Sequence, residues 1–204
     1  MVIKRHRTGD VTRIEAADAP FGVALYRKRF WYPTARDRLR GALRTTWLAR
    51  SRVEREAANL ERLAGWGMQP RLLLASGERR RRGVLHDSFL CTRALDASPL
   101  DRELRDASPE RRLALLDALG RFVATLHAHG FVDRDLHLRN LLATADGAIV
   151  KIDSPFGSVV RWGREAAQRR ELAALAAEIA RLVPAEERDA LTRAYAAARE
   201  RDGG

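Results

Sequence analysis

Hydrophobic and polar residues alternate with a period of two through the first thirty positions. The runs are Val2-Ile3, then Val11-Thr12-Arg13-Ile14, then Gly22-Val23-Ala24-Leu25-Tyr26 leading into Arg27-Lys28-Arg29-Phe30. Successive side chains on a strand point to opposite faces, so the pattern predicts short strands in an antiparallel meander. Turn-forming residues at Gly9-Asp10 and Asp18-Ala19-Pro20 divide them. Beyond Pro33 the period lengthens: residues 34–64 read as helix, bent around Ser51, with Glu56, Leu60 and Leu63 at helical spacing and Gly65 and Gly67 closing the run. Strands over 71–76 and 84–94 flank a polar turn at 77–83. Ser108-Pro109-Glu110 then places a cap and a first-turn proline at the start of a helix that runs to His129 and stops at Gly130. Short strands over 140–143 and 148–152 follow, and two alanine-rich helices, 164–182 and 185–200, part at Pro184. Strands first and helices afterwards predict an α+β fold: a small antiparallel β-rich lobe over 1–95 and a reduced helical lobe over 96–204, together one domain.

Composition narrows the class. At 204 residues, 46% of them hydrophobic, the chain can bury a core without a staple. The single cysteine, Cys91, excludes a disulfide framework and a cysteine zinc site, and suits a reducing cytoplasm. No apolar run approaches the eighteen residues of a membrane span, and MVIKRHRTGDV lacks the apolar stretch of a signal peptide. The expected location is cytoplasmic.

The net charge of +11 is uneven: residues 1–60 hold 14 basic against 6 acidic side chains, and ten of those basic residues lie between 27 and 55. Leu39, Ala42, Leu43, Thr46, Trp47 and Val53 fall along one helix face with Arg36, Arg38, Arg40, Arg44 and Arg52 around them. Such a helix suits an anionic membrane surface, giving peripheral attachment at the inner membrane through residues 36–52. The competing reading packs the stripe on the sheet and leaves the arginines solvated. Nucleic acid as a partner rests on charge alone, with no zinc-finger spacing, aromatic RNP motif or GXXG loop beside it.

The chemistry concentrates in Asp133-Arg134-Asp135-Leu136-His137-Leu138-Arg139-Asn140, a loop between a long helix and an apolar strand. Asp135 and Asn140 are five apart, and Asp153 stands thirteen residues further on at a strand end. Three oxygen-bearing side chains from a loop and a strand end suit a hard cation held against phosphates. The intervals match a kinase catalytic loop followed by its metal-binding segment. A kinase also needs a strand lysine for the nucleotide phosphates and a helical glutamate to orient it. Lys28, one of three lysines, and Glu56 are the candidates, with Glu54 competing for the second place.

These segments resemble the Kdo/WaaP lipopolysaccharide core kinases, within the protein-kinase-like fold. The likeness runs from the Tyr-Arg-Lys-Arg-Phe strand (26–30) through the helix at 55–63, the Gly-Met-Gln-Pro exit and the catalytic loop to Arg-Glu-Leu-Ala at 170–173. The resemblance implies a two-lobed, ATP- and Mg2+-dependent phosphotransferase. In it Lys28 contacts the phosphates, Glu56 pairs with Lys28, Asp135 orients the attacking hydroxyl, and Asn140 and Asp153 hold magnesium. The backbone near Cys91–Leu95, Arg93 included, receives the adenine. Three departures stand out: Asp133 where the pattern has His, Asp153-Ser154-Pro155 ahead of Phe156-Gly157, and only Gly9 where a glycine-rich loop is expected. Few residues follow Asp153, which disfavours a peptide substrate and favours a sugar or small-molecule hydroxyl. The implied acceptor is a sugar of a lipopolysaccharide core. An aminoglycoside- or choline-type kinase, suggested by Asp135-Leu136-His137, and a nucleotide-binding pseudokinase are the alternatives.

Overall fold

The computed structural model describes residues 1–32, 34 and 50–202. The chain divides into two compact units, Met1–Ala64 with Pro70–Leu95, and Gly65–Gln69 with Asp96–Gly204.

The first unit is a five-stranded antiparallel sheet in the order β1-β2-β3-β5-β4, with β1 Val2–His6, β2 Gly9–Ile14, β3 Leu25–Trp31, β4 Leu73–Arg81 and β5 Val84–Arg93. Its first turn is Arg7-Thr8 rather than Gly9-Asp10; Gly9 opens β2 opposite Phe30. Two bonds from Trp31 pin that turn, its amide N–H to the Thr8 carbonyl and its indole N–H to the Arg7 carbonyl. The β4–β5 connection is also tighter than the arginine-rich sequence suggests. Arg82 and Gly83 alone form it, both with positive φ (49° and 78°), the mirror-image turn that matches strand twist. The arginines before it lie on β4, where Arg79 pairs with Asp87 across the ladder.

Helix α1 (Arg52–Gly65) starts at Ser51 with a reciprocal cap. The Glu54 N–H donates to Ser51 Oγ (3.1 Å) and the Ser51 N–H to Glu54 Oε2 (2.9 Å). The break expected at Ser51 is therefore a helix start. Val53, Glu56, Ala57, Leu60 and Leu63 recur at helical spacing and are buried, as are Leu25, Leu85 and Leu90 on the strands and Leu72 just before β4. Each leucine so buried contributes roughly 1.5–3 kcal/mol. Of the expected membrane stripe, residues 36–49 lie outside the described residues. Its last two members do not face outward: Val53 is in the core, and the Arg52 guanidinium sits 5.4 Å over the Phe30 ring.

The second unit holds a three-stranded sheet, β6 (Ala97–Pro99), β8 (Leu141–Thr144) and β9 (Ile149–Lys151), and a two-stranded one, β7 (Phe131–Asp133) with β10 (Gly157–Val159). Four helices complete it: α2 (Leu100–Asp106), α3 (Pro109–Ala128), α4 (Arg164–Ile179) and α5 (Ala190–Asp202). Ser108 caps α3 by accepting from the Arg111 N–H. At Gly120 a Cβ would lie 2.6 Å from the Ala194 Cβ, so glycine there lets α3 and α5 approach closely. Trp66 stacks on His129 with ring centroids 4.2 Å apart. Asn140 falls in a 3-10 turn, Leu138–Asn140, one residue before its strand. α4 ends at Ile179, earlier than its alanine content suggests and four residues before Val183. Among the described residues no helix is long and apolar enough to cross a membrane.

Candidate active site

In the first unit Lys28 occupies the middle of β3, between Val11 on β2 and Leu90 on β5. Its Nζ reaches Glu56 Oε1 at 2.6 Å, with the lysine side chain 18% and the glutamate 1% exposed. Glu54 is engaged in the α1 cap, so the helical spacing leaves Glu56 for the lysine. A charge-assisted bond of this length fixes the ammonium with its stem in the sheet.

Cys91 and Arg93 are less suited to their expected role. Cys91 sits on β5 between Arg27 and Ala75, so its backbone lies inside the ladder. The Arg93 N–H donates to the Leu72 carbonyl and the Ala94 N–H to that of Ala24, both at 2.8 Å. These bonds engage two backbone donors of the segment expected to meet adenine. Burial also raises the Cys91 thiol pKa, more than the Arg27 charge lowers it.

In the second unit the catalytic loop is fixed through its backbone. The Asp135 N–H donates to Asp133 Oδ1 (2.9 Å), and the Asp135 carbonyl accepts from Asn140 Nδ2 (2.8 Å) and the His137 N–H (2.9 Å). The half-buried Asp135 carboxylate makes no hydrogen bond among the described residues. The peptide groups of Asp135 are clamped on both sides.

Asn140 and Asp153 are also brought together. The Ile152 N–H donates to the Asn140 carbonyl at 2.9 Å, tying the residue before Asp153 to the loop. Asp153 itself is left-handed (φ 54°), an uncommon state for a residue with a Cβ. With Asn140 Nδ2 engaged by the Asp135 carbonyl, the amide oxygen is the free end of that side chain. An amide oxygen and a carboxylate are hard donors of the kind that share Mg2+ with waters and phosphate oxygens. The residues present fit that ion.

Sequence reasoning missed what supports the loop. Asp133 is buried with Lys151, Nζ to Oδ2 3.0 Å and both side chains 0% exposed, a pair held by charge rather than by an aligned hydrogen bond. Ser154 Oγ donates to the same oxygen at 2.5 Å. Glu171 on α4 accepts from the Asp133 N–H at 2.5 Å and meets His127 Nε2 at 2.9 Å, while His127 Nδ1 meets the Tyr195 hydroxyl at 2.9 Å. A carboxylate only accepts, which places a proton on His127 Nε2. Burial raises the Tyr195 pKa, keeping its hydroxyl proton in the chain. Asp133 in place of His thus leaves the loop supported: its carboxylate bonds Asp135, Ser154 and Lys151 together. Gly157 completes the packing, since a Cβ there would collide with Phe131 and stand 2.6 Å from Ser154 Oγ.

A sequence model of the "Lipopolysaccharide kinase (Kdo/WaaP) family" matches residues 4–195. The chain is also similar to the "Probable SapB synthase" of Streptomyces coelicolor, 36% identical over 118 residues. That match takes in 50% of this chain and 12% of the relative, so the chain spans about an eighth of that protein.

Proposed function

The chain belongs to the lipopolysaccharide kinase (Kdo/WaaP) family and is a kinase-like phosphotransferase; we propose that it moves the γ-phosphoryl group of ATP to a sugar hydroxyl of a lipopolysaccharide core. The clamped backbone and uncommitted carboxylate of Asp135 carry this reading. Phosphoryl transfer asks a protein mainly for positioning and charge neutralisation. Asp135 accepts the hydrogen bond of the attacking hydroxyl and takes its proton as the new O–P bond forms. The bond from the γ-phosphorus to the bridging oxygen breaks, and ADP departs with that oxygen.

Lys28, oriented by Glu56, neutralises phosphate oxygens. Asn140 and Asp153 would hold a magnesium ion, which would supply charge screening for the nucleotide phosphates. Asp133 keeps Asp135 in place while Ser154 anchors the metal-binding segment to the same carboxylate. Residues 36–52, of which 36–49 lie outside the described residues, would supply the arginine-rich stripe through which the protein meets an anionic membrane bearing its acceptor.

Calorimetric titration with ATP tests the nucleotide assignments. Wild type should bind ATP in magnesium and at least tenfold more weakly in EDTA. Asp153→Asn should lose the magnesium dependence, and Lys28→Met should weaken binding in both media. Equal affinity for ATP in magnesium and EDTA contradicts the metal assignment.

A further inference from the structure

Two acids of α4, Glu171 and Glu178, stand seven residues apart. That spacing puts them on one face of the helix, two turns or about 10 Å apart along its axis. Both reach the catalytic loop. Glu171 accepts from the Asp133 N–H, two residues before Asp135, and Glu178 Oε2 accepts from the Leu138 N–H at 2.9 Å, three residues after it. The other oxygen of Glu178 meets His137 Nδ1. The phosphotransfer reading gives His137 no task, although it belongs to the Asp135-Leu136-His137 triplet.

The neighbouring amide bonds stay inside the loop. The Leu136 N–H donates to the Asp133 carbonyl, the His137 N–H to that of Asp135 and the Asn140 N–H to that of His137, each at 2.9 Å. Leu138 differs: its side chain is buried in the core and its N–H leaves the loop for α4. Local bonds keep the shape of a loop, whereas a bond to a packed helix fixes where the loop lies. His137 carries that constraint in both directions, its N–H bonded to Asp135 and its carbonyl to Asn140. The His137–Glu178 pair does little for global stability. Its side chains are 34% and 29% exposed, and ion pairs so open to water contribute little.

We propose that Glu178 is a positioning residue for phosphoryl transfer: by holding His137 and Leu138 against the last turn of α4, it fixes Asp135 relative to Asn140. The proposal rests on the phosphotransfer reading above and adds to it a residue that acts through the loop. Position is a steep variable, since a displacement of about 1 Å can cost on the order of 100-fold in rate. A carboxylate only accepts, so Nδ1 carries the imidazole proton in this pair. Three variants separate geometry from charge. Glu178→Ala removes both contacts, and Glu178→Asp keeps the charge but falls one methylene short. Glu178→Gln keeps both contacts, its oxygen for the Leu138 N–H and its NH2 for Nδ1 once the imidazole proton moves to Nε2.

Steady-state transfer of γ-phosphate from ATP to lipopolysaccharide core oligosaccharide, with amide hydrogen exchange on the same samples, tests the proposal. Glu178→Ala and Glu178→Asp should each lower kcat at least tenfold with KM for ATP within threefold, and Glu178→Gln should stay within threefold of wild type in both. The Leu138 and His137 amides should exchange at least tenfold faster in Glu178→Ala and at the wild-type rate in Glu178→Gln. The Asp133 amide, held by Glu171, should not change. Wild-type kcat in Glu178→Ala or Glu178→Asp, a Glu178→Gln as slow as Glu178→Ala, or unchanged exchange at Leu138 overturns the proposal. So does a loss of kcat accompanied by equally faster exchange throughout the core, the mark of a merely structural role. A wild-type protein that transfers no phosphate overturns the phosphotransfer reading instead, and the exchange pattern then decides by itself whether Glu178 anchors the loop.

Discussion

Lys151→Met removes the ammonium that faces Asp133 while keeping most of the side-chain volume. Both members of the pair are fully buried, so the remaining carboxylate has no solvent to turn to. It keeps the Ser154 hydroxyl and the Asp135 N–H, but loses its counter-charge. Removing one partner of a buried pair costs about 3–5 kcal/mol. In a protein of this size 1 kcal/mol moves the melting temperature by about 2–4 °C, so Tm should fall by about 6–20 °C. Asp133→Asn should cost a similar amount, because it strands the ammonium instead. The double variant leaves neither charge buried, and replacing both members of such a pair is often close to neutral. A four-protein cycle, unfolded by urea and followed by circular dichroism, should therefore show an interaction energy of about 6–10 kcal/mol in magnitude, the two single costs that the near-neutral double variant does not show. Strictly additive costs, or a loss below about 1 kcal/mol in either single variant, would refute the reasoning. The double variant also separates stability from position. It should fold but transfer phosphate more slowly, since an asparagine in place of Asp133 holds the Asp135 N–H less strongly.

Three further outcomes follow from single features. Gly157→Ala forces a Cβ against the rigid Phe131 ring, and should destabilise by about 1–3 kcal/mol in urea unfolding. The Arg112 side chain, hydrogen-bonded to Glu187, holds that carboxyl below its ordinary value of 4.5. A lowered carboxyl pKa stabilises the fold above that value and ceases to do so as pH falls through the folded one. The urea midpoint should accordingly drop between neutral pH and pH values below about 4.5 in wild type, and less steeply in Glu187→Gln. Changing Arg36, Arg38, Arg40 and Arg44 to Gln should abolish sedimentation with anionic vesicles at low salt, each arginine near such a surface adding about 1 kcal/mol. Equal pelleting of both proteins, or of neither, leaves those arginines solvated.

Local pattern in the sequence was enough to place the main candidate side chains on their elements. Period-two alternation placed Lys28 on the third strand, and helical spacing narrowed its partner to Glu54 or Glu56; the Ser51–Glu54 cap removes the first. The five-residue interval from Asp135 to Asn140 became a clamped loop because Asn140 reaches back to the Asp135 carbonyl. What the sequence hid depends on distant packing. Glu171 lies 38 residues from Asp133 and reaches its N–H only because α4 packs beside β7. Lys151 looks like a surface lysine at a strand end until Asp133 is found opposite it. The arginine-rich stretch 77–83 reads as a turn by polarity, yet cross-strand pairing carries β4 as far as Arg81. Cys91 and Arg93 lie in the segment expected to receive the nucleotide base, but ladder bonds on either side engage that backbone.

The central claim is that Asp135 activates a hydroxyl for attack on a magnesium-bound nucleotide. It is tested most directly by transfer of radiolabelled γ-phosphate from ATP to lipopolysaccharide core oligosaccharide, comparing wild type with Asp135→Asn. Loss of the general base should reduce the rate by about 10²–10⁴-fold while magnesium–ATP affinity, measured on the same samples, stays within twofold. Transfer by Asp135→Asn at the wild-type rate would contradict the account.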